Sequence, residues 1–357
     1  MIIKRLQLNS FRNIDSVSIN PSAGLNLIAG PNASGKSSLL EGIYLMSRGR
    51  SFRTSTLRSL IKSGEQKSTL FSEISDGTIS RRLSMALSNK KSVAKLDGAH
   101  ISRLSELSRA FPVQLITPRS YELLTSGPKY RRKILYWGLF HVEQSFLDVY
   151  RRFAKALAQR NAALRSGKRN DEINVWNIQI ASCSLEIFQH ATDYVNDLRS
   201  ILLPLLSEIL SGYRFELEYK PGWDTTLNLL DVLLASIDKD REIGYTRTGP
   251  QRADLHLTIN GQALESFASN GQQKLVIFAL LLSQLMLYKD RFQVSPVLLL
   301  DDFAAELDQA SQNKILTAVD GAAVQCLSTG LSIPECLDSE TKVFHVEHGV
   351  FHDTECG

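Results

Sequence analysis

The chain of 357 residues has only four cysteines, Cys183, Cys326, Cys336 and Cys356. No two of them form a C-x-x-C pair, which excludes the short-loop zinc and thiol-redox sites and suits a reducing compartment. Long apolar runs are missing as well. The most apolar stretches, around residues 201–210 and 275–287, stop short of the roughly 18 residues a membrane-spanning helix needs. The start MIIKRLQL has basic residues but no apolar segment or cleavage site, so no signal peptide is expected. No internal repeat or low-complexity tract is visible. Charge of one sign is scarce: 41 Lys+Arg against 37 Asp+Glu leave a formal +4, too little to settle a partner. With 43% hydrophobic and 22% charged residues, the composition is that of a soluble globular protein. Length gives a prior of about two to three domains. A cytoplasmic location is expected.

What is present centres on one loop. GPNASGKSS follows the apolar run LNLIAG and fits G-x-x-x-x-G-K-[ST], through Gly30, Pro31, Asn32, Ala33, Ser34, Gly35, Lys36, Ser37 and Ser38. Leu25, Leu27 and Ile28 precede it as a strand; Leu39, Leu40, Ile43 and Leu45 recur behind it on one helical face. Such a loop wraps a phosphate chain because its N–H groups converge where no side chains crowd them. Lys36 would reach the β/γ-phosphates from a solvent-facing loop, and Ser37 would offer its hydroxyl to Mg²⁺. ATP and Mg²⁺ are the expected ligands.

A second element is VLLLDDFAAELD at residues 297–308. Four apolar residues ending in two carboxylates read as a buried strand that delivers acids to its C-terminal end, where α/β sheets bind ligands. Asp301 is the candidate Mg²⁺ acid, and Asp302 stands where an attacking water would be polarised. Before it comes SNGQQK, in which Ser269 and Asn270 would cap a helix and Gly271 permits close backbone approach to an anion.

The segment between loop and acids is long. Strand alternation over residues 1–30 and 67–97 gives way to helical periodicity from about 130 to 210, broken at SGKRND; Pro204 should kink or restart the last helix. Strand character returns at residues 213–219 and 255–259, and KVFHVEHGVF ends the chain as an antiparallel pair. The expected division is a discontinuous α/β head of residues 1–118 and 212–357, with an inserted helical lobe at 119–211. Basic residues gather after the loop helix (Arg48, Arg50, Arg53, Arg58), at Arg81 and Arg82, at Lys90, Lys91 and Lys95, in KYRRK at 129–133, at Arg151, Arg152 and Lys155, and in RSGKR at 165–169. Phosphate backbones call for this kind of repeated positive contact, and so does an ordinary solvated surface. His345, His348 and His352 alternate along the last strands and read as edge histidines rather than as a metal site.

FRN at residues 11–13, GPNASGKSS, SNGQQK and LLLDDFAAELD, taken in that order, resemble the SMC-like branch of ABC ATPases, and within it the bacterial RecF family. RSFRTSTLRSLI, GPKYRR and GYTRTGPQRADL extend the resemblance over essentially the whole chain. It implies a two-lobed P-loop head of ABC/SMC type without a long coiled coil, and a weak DNA-dependent ATPase. It also implies an ATP-dependent homodimer that binds single-stranded/duplex DNA junctions or gaps near the nucleoid and helps RecO and RecR load RecA, with no membrane partner. On that pattern Arg12 and Asn13 touch the nucleotide. Ser269, Asn270, Gly271, Gln272 and Gln273 form the signature that reaches the γ-phosphate on the other subunit. Asp308 falls on the D-loop, and Gln114 is the candidate Q-loop glutamine, a further Mg²⁺ ligand. Thr329-Gly330 stands where many ABC ATPases carry a switch histidine, and Gln251 where relatives commonly have histidine. The competing readings are a transporter-type ABC subunit and a nucleotide-gated structural dimer.

Overall fold

The computed structural model describes residues 1–303, 307–330 and 341–354; Cys336, Cys356 and residues 304–306 lie outside the described residues. Two compact units divide the chain, residues 1–120 with 278 onward and residues 121–277.

The first unit opens with β1 (Ile2–Phe11) and β2 (Ile14–Ile19), whose alternating residues turn one face inward. After β3 (Leu25–Ala29), β4 (Lys67–Ser75), β5 (Ser80–Ser88), β6 (Ser92–Leu96) and β7 (Ala99–His100) complete a six-stranded antiparallel sheet in the order β2-β1-β4-β5-β6-β7. A second sheet has the order β15-β14-β3-β13-β12-β8. Its members are β3, β8 (Val113–Ile116), β12 (Val297–Leu300), β13 (Cys326–Gly330), β14 (Lys342–Glu347) and β15 (Val350–Thr354). Every pairing in it is parallel except β14 with β15. Parallel strands are covered on both faces, which is why VLLL of β12 is buried at all its positions rather than alternating.

Between the sheets lies α1 (Lys36–Arg48). Its Leu39, Leu40, Ile43, Leu45 and Met46 pack in one core with Ile3, Leu6 and Leu8 of the first sheet and Leu299, Leu327 and Phe344 of the second. α2 (Leu104–Ala110) packs beside it, and α11 (Gln309–Ala322) leads into β13. A buried amide also stitches the sheets together. Gln325 accepts from the N–H of Ile3 at 2.7 Å and donates to the Ile3 and Ser22 carbonyls.

The second unit holds α3 (Glu122–Thr125), α4 (Pro128–Val142), α5 (Phe146–Arg165) and α6 (Asn170–Ile209). Then follow β9 (Phe215–Lys220), α7 (Leu229–Ala235), α8 (Ile237–Ile243), β10 (Asp254–Ile259), β11 (Gln262–Ala263) and α9 (Leu264–Phe267). α10 (Asn270–Phe292) starts here and ends in the first unit. The expected return to the head at residue 212 is corrected to 278. The small antiparallel sheet β11-β10-β9 packs on α4 and α6, so residues 212–277 group with the helices. Pro204 does not restart the helix either; α6 runs through it to Ile209, because a proline removes one backbone bond while the packed face on both sides persists.

Charge inside this unit is structural. Arg131 donates to both oxygens of Asp254 at 2.8 and 2.7 Å, tying α4 to β10. Arg160, fully buried, donates to Asn177, Asp240, Thr246 and the Leu233 carbonyl. Gln251 donates to the carbonyls of Thr246 and Thr248, holding that loop. Removing Arg160 leaves the buried Asp240 carboxylate with the half-exposed Arg247 as its cation and the Ser236 hydroxyl as a neutral donor. Arg160→Met should therefore destabilise the second unit by about 3–5 kcal/mol. Urea unfolding followed by circular dichroism would show it, and a loss below about 1 kcal/mol would contradict a structural role for the pair.

Candidate nucleotide-binding site

The loop between β3 and α1 is held by backbone shape first. Gly30 has φ 151, and a Cβ there would lie 2.1 Å from the Val346 carbonyl oxygen. Gly35, the residue before α1, has φ 119, a left-handed conformation that glycine reaches without strain. Two turns brace the loop from outside. Asn13, between β1 and β2, donates to the Ala33 carbonyl at 3.0 Å and accepts from Ser38 at 2.8 Å. Gly349, between β14 and β15, donates its N–H to the Ser34 carbonyl at 2.8 Å.

Lys36 is not on a solvent-facing loop as expected: it is 5% exposed. Its ammonium donates to the carbonyls of Gly30 and Pro31, both at 2.8 Å, so it lies across the loop. Arg12 is locked by a carboxylate that sequence reading passed over. Glu41, fully buried in α1, accepts two bonds from the Arg12 guanidinium at 2.8 and 2.6 Å and one from the Ser51 hydroxyl, with Arg53 3.8 Å away. The signal was present as an acidic residue on the apolar helix behind the loop, where a charge is affordable only if paired.

The acids come from the neighbouring strands. Asp301 directly follows β12, is 8% exposed and accepts a hydrogen bond from the Thr329 hydroxyl at 3.1 Å. Burial pushes its pKa above the ordinary carboxylate range, the nearby Ser37 hydroxyl opposes that shift, and the charge of Asp302 adds to it. Asp302 adopts φ 47, uncommon outside glycine, and lines a cleft of about 660 Å³ with Arg12, Asn13, Gly35, Lys36, Ser37 and Ser38. Thr329, at the end of β13, donates or accepts at both acids: its hydroxyl is 2.8 Å from the Asp302 nitrogen and 3.1 Å from a carboxylate oxygen of Asp301. The sequence signal for it was the strand VQCLST beside VLLL, which brings a hydroxyl level with the acids.

The residues present fit a triphosphate with its metal. Ser34 Oγ is buried in the loop and has no hydrogen-bond partner among the described residues. Ser37 and Asp301 supply adjacent hard oxygen donors of the kind Mg²⁺ takes.

Gln114 is not brought to this site. It sits on β8 opposite Leu298, three positions short of Asp301, which is about 10 Å along a strand, and it does not line the cleft. As a catalytic residue and Mg²⁺ ligand it is withdrawn. Arg53 and Arg58 line the nucleotide cleft instead of a separate basic face. Several other basic residues are already paired, Arg131 with Asp254 and Arg152 with Glu186. Arg81, Arg82, Lys90, Lys91 and Lys95 make no ion pair among the described residues. In the second unit, Ser269 and Gln272 form a reciprocal helix cap: the Ser269 N–H donates to Gln272 at 2.9 Å, and the Gln272 N–H to Ser269 at 3.3 Å. Ser269, Asn270 and Gly271 are exposed around it, and Gln273 is buried. Asp308 caps α11 by accepting from the Ser311 N–H. His345, His348 and His352 are exposed, the first directly opposite the last.

Loop, lysine, hydroxyl and paired acids at the ends of parallel strands define a P-loop ATPase site. The family model described as RecF/RecN/SMC N terminal domain matches residues 2–351. The DNA replication and repair protein RecF of Vibrio cholerae is 33% identical over 359 residues, covering 98% of this chain and 99% of that protein. Its counterpart in Psychromonas ingrahamii is 35% identical over 354 residues, covering 98% and 99%. The solved structure of the recombination mediator protein RecF-ATP in the RecFOR pathway superposes with TM-score 0.85 at 26% identity, covering 99% of this chain and 97% of that one. An Smc head bound to the C-winged helix domain of ScpA, at 15% identity and TM-score 0.64, shares the fold. The chain belongs to the RecF family of SMC-like ATPases.

Because Lys36 closes the loop on itself, its loss should be felt before any ligand is added. Lys36→Met removes two charge-assisted bonds and should lower stability without nucleotide by about 1.5–3 kcal/mol. A melting curve matching wild type would mean that the ammonium contributes nothing to the shape of the loop.

Proposed function

We propose that this chain is an ATP-dependent DNA-binding protein of recombinational repair and replication maintenance. The observation that carries the reading is the single cleft at the phosphate loop that Gly35, Lys36 and Ser37 line together with Asp302, with Asp301 next to it at the end of β12. Gly30 through Ser38 would cradle the phosphates of ATP, and Lys36 would leave the Gly30 and Pro31 carbonyls for the β/γ-phosphates. Ser37 and Asp301 would hold Mg²⁺, which offsets charge on the transferred phosphoryl group. Asp302 would accept a hydrogen bond from the attacking water as the bond between γ-phosphorus and the bridging oxygen breaks, giving ADP and phosphate.

The exposed Ser269–Gly271 turn fits the expected signature. It presents a capped helix N-terminus to an anion from outside its own unit. We read it as the surface a second copy offers to the γ-phosphate, so that ATP favours a two-fold dimer by linkage. Arg81, Arg82, Lys90, Lys91 and Lys95, on and between β5 and β6, are the basic residues best placed for a DNA backbone, since none of them forms an ion pair among the described residues, although Glu73 lies opposite Arg82 on the neighbouring strand. Preference for gapped or junction DNA, weak DNA-stimulated turnover, and action with RecO and RecR on RecA are proposed for this chain on the strength of the family resemblance. The transporter reading gains no support from the relatives, which are named for DNA replication and repair.

Two measurements test this. Asp302→Asn should retain ATP binding and lose turnover by roughly 100-fold or more; phosphate release at the wild-type rate would move the catalytic role elsewhere and favour a purely structural dimer. In sedimentation velocity the wild type should shift from monomer to dimer with ATP and Mg²⁺, and Ser269→Arg should remain monomeric. Equal association in all samples would contradict the nucleotide-gated assembly.

A further inference from the structure

We infer that Thr329 is the positioning residue of the hydrolytic site, acting through Asp302 and holding both acids in register; the inference rests on the nucleotide reading above. Parallel pairing sets Ser328 opposite Leu300, so the next residue of β13 comes level with the two carboxylates. Thr329 is buried, and its Oγ1 lies among four polar atoms. The Asp302 nitrogen is at 2.8 Å, Asp301 Oδ1 at 3.1 Å, Asp302 Oδ1 at 3.3 Å and the Leu300 carbonyl at 3.4 Å.

A hydroxyl has one hydrogen and two lone pairs. The Asp302 N–H takes a lone pair, which leaves the single hydrogen for the carboxylates. Thr329 thus fixes the Asp302 peptide from one side and bridges two like charges from the other. The fixed peptide matters because Asp302 has φ 47, and a residue in that region keeps its direction only when its surroundings hold it there. With Gly330 following, no side chain of the next residue is available to reach the site. Thr329 supplies at the strand end a polar contact that works on the acids themselves.

The alternative is a threonine that merely satisfies the end of a strand. Full-length variants Thr329→Val and Thr329→Ser separate the two. Val keeps the shape and loses the hydroxyl; Ser keeps the hydroxyl and loses the methyl. In Thr329→Val, turnover should fall roughly 10- to 100-fold, while calorimetric affinity for ATP with Mg²⁺ changes by less than about 3-fold, the split expected when only the transition state is affected. Thr329→Ser should stay within about 3-fold of wild type in both. In the Asp302→Asn background, Thr329→Val should add nothing, since the two act as a unit. A second reading needs no catalysis: exchange of the Asp302 amide hydrogen should quicken by about 10-fold or more in Thr329→Val and not in Thr329→Ser.

Wild-type turnover in the Val variant, equal loss in Val and Ser, or full additivity with Asp302→Asn would overturn the role. So would unchanged exchange at Asp302. A wild type with no turnover at all would refute the ATPase reading, and the exchange comparison would still decide whether Thr329 holds the Asp302 peptide.

Discussion

A carboxylate with no access to water governs the first unit. Glu41 lies in α1, the helix packed between the two sheets, and a carboxylate at that depth needs partners. Arg12 gives two bonds, Ser51 a third, and Arg53 adds its charge. These partners come from two separate segments, the β1–β2 turn and the stretch after α1. Satisfying Glu41 therefore brings Asn13, next to Arg12, over the phosphate loop, where it bonds Ala33 and Ser38. The loop receives its second brace from Gly349 and its third from its own lysine. Its curvature is thus a property of the fold, present before a phosphate is bound, and less ordering is left for the ligand to impose.

The same logic places the acids. A parallel sheet delivers the ends of β3, β12 and β13 to one edge, and each strand contributes one kind of atom: loop amides, carboxylates and a hydroxyl. Burial raises the pKa of Asp301, a state that a divalent cation would reverse by favouring the charged form. Asp302 accepts an uncommon backbone angle in order to sit over the cleft. Strain and desolvation gather at this edge, while the second unit spends its buried charge on staying folded, through Arg131–Asp254 and Arg160–Asp240.

Much of this was legible in the residues. The glycine pattern, the apolar strand before it and VLLLDD each combine a local signal with a chemical need, so loop, helix and acids fall where the sequence puts them. Long-range packing was not legible. Strand character at 213–219 and 255–259 said nothing of which unit it would join; contacts with α4 and α6 decided that. Gln114 looked right by residue type, yet strand register leaves it three positions short of Asp301. Arg53 and Arg58 read as part of a basic surface because sequence shows charge and not direction, and folding turned them to the nucleotide cleft. Thr329 was legible as the residue at the switch position, but its contact with both acids was not, because only the pairing of β13 with β12 brings its hydroxyl level with them.

The most direct test of a preshaped nucleotide loop is a calorimetric titration of the full chain with ATP in the presence of Mg²⁺, on wild type and on Lys36→Met. One ATP should bind per chain in the wild type, with no saturable heat in the variant. Saturable binding of equal affinity in both proteins would place the nucleotide elsewhere and contradict the account.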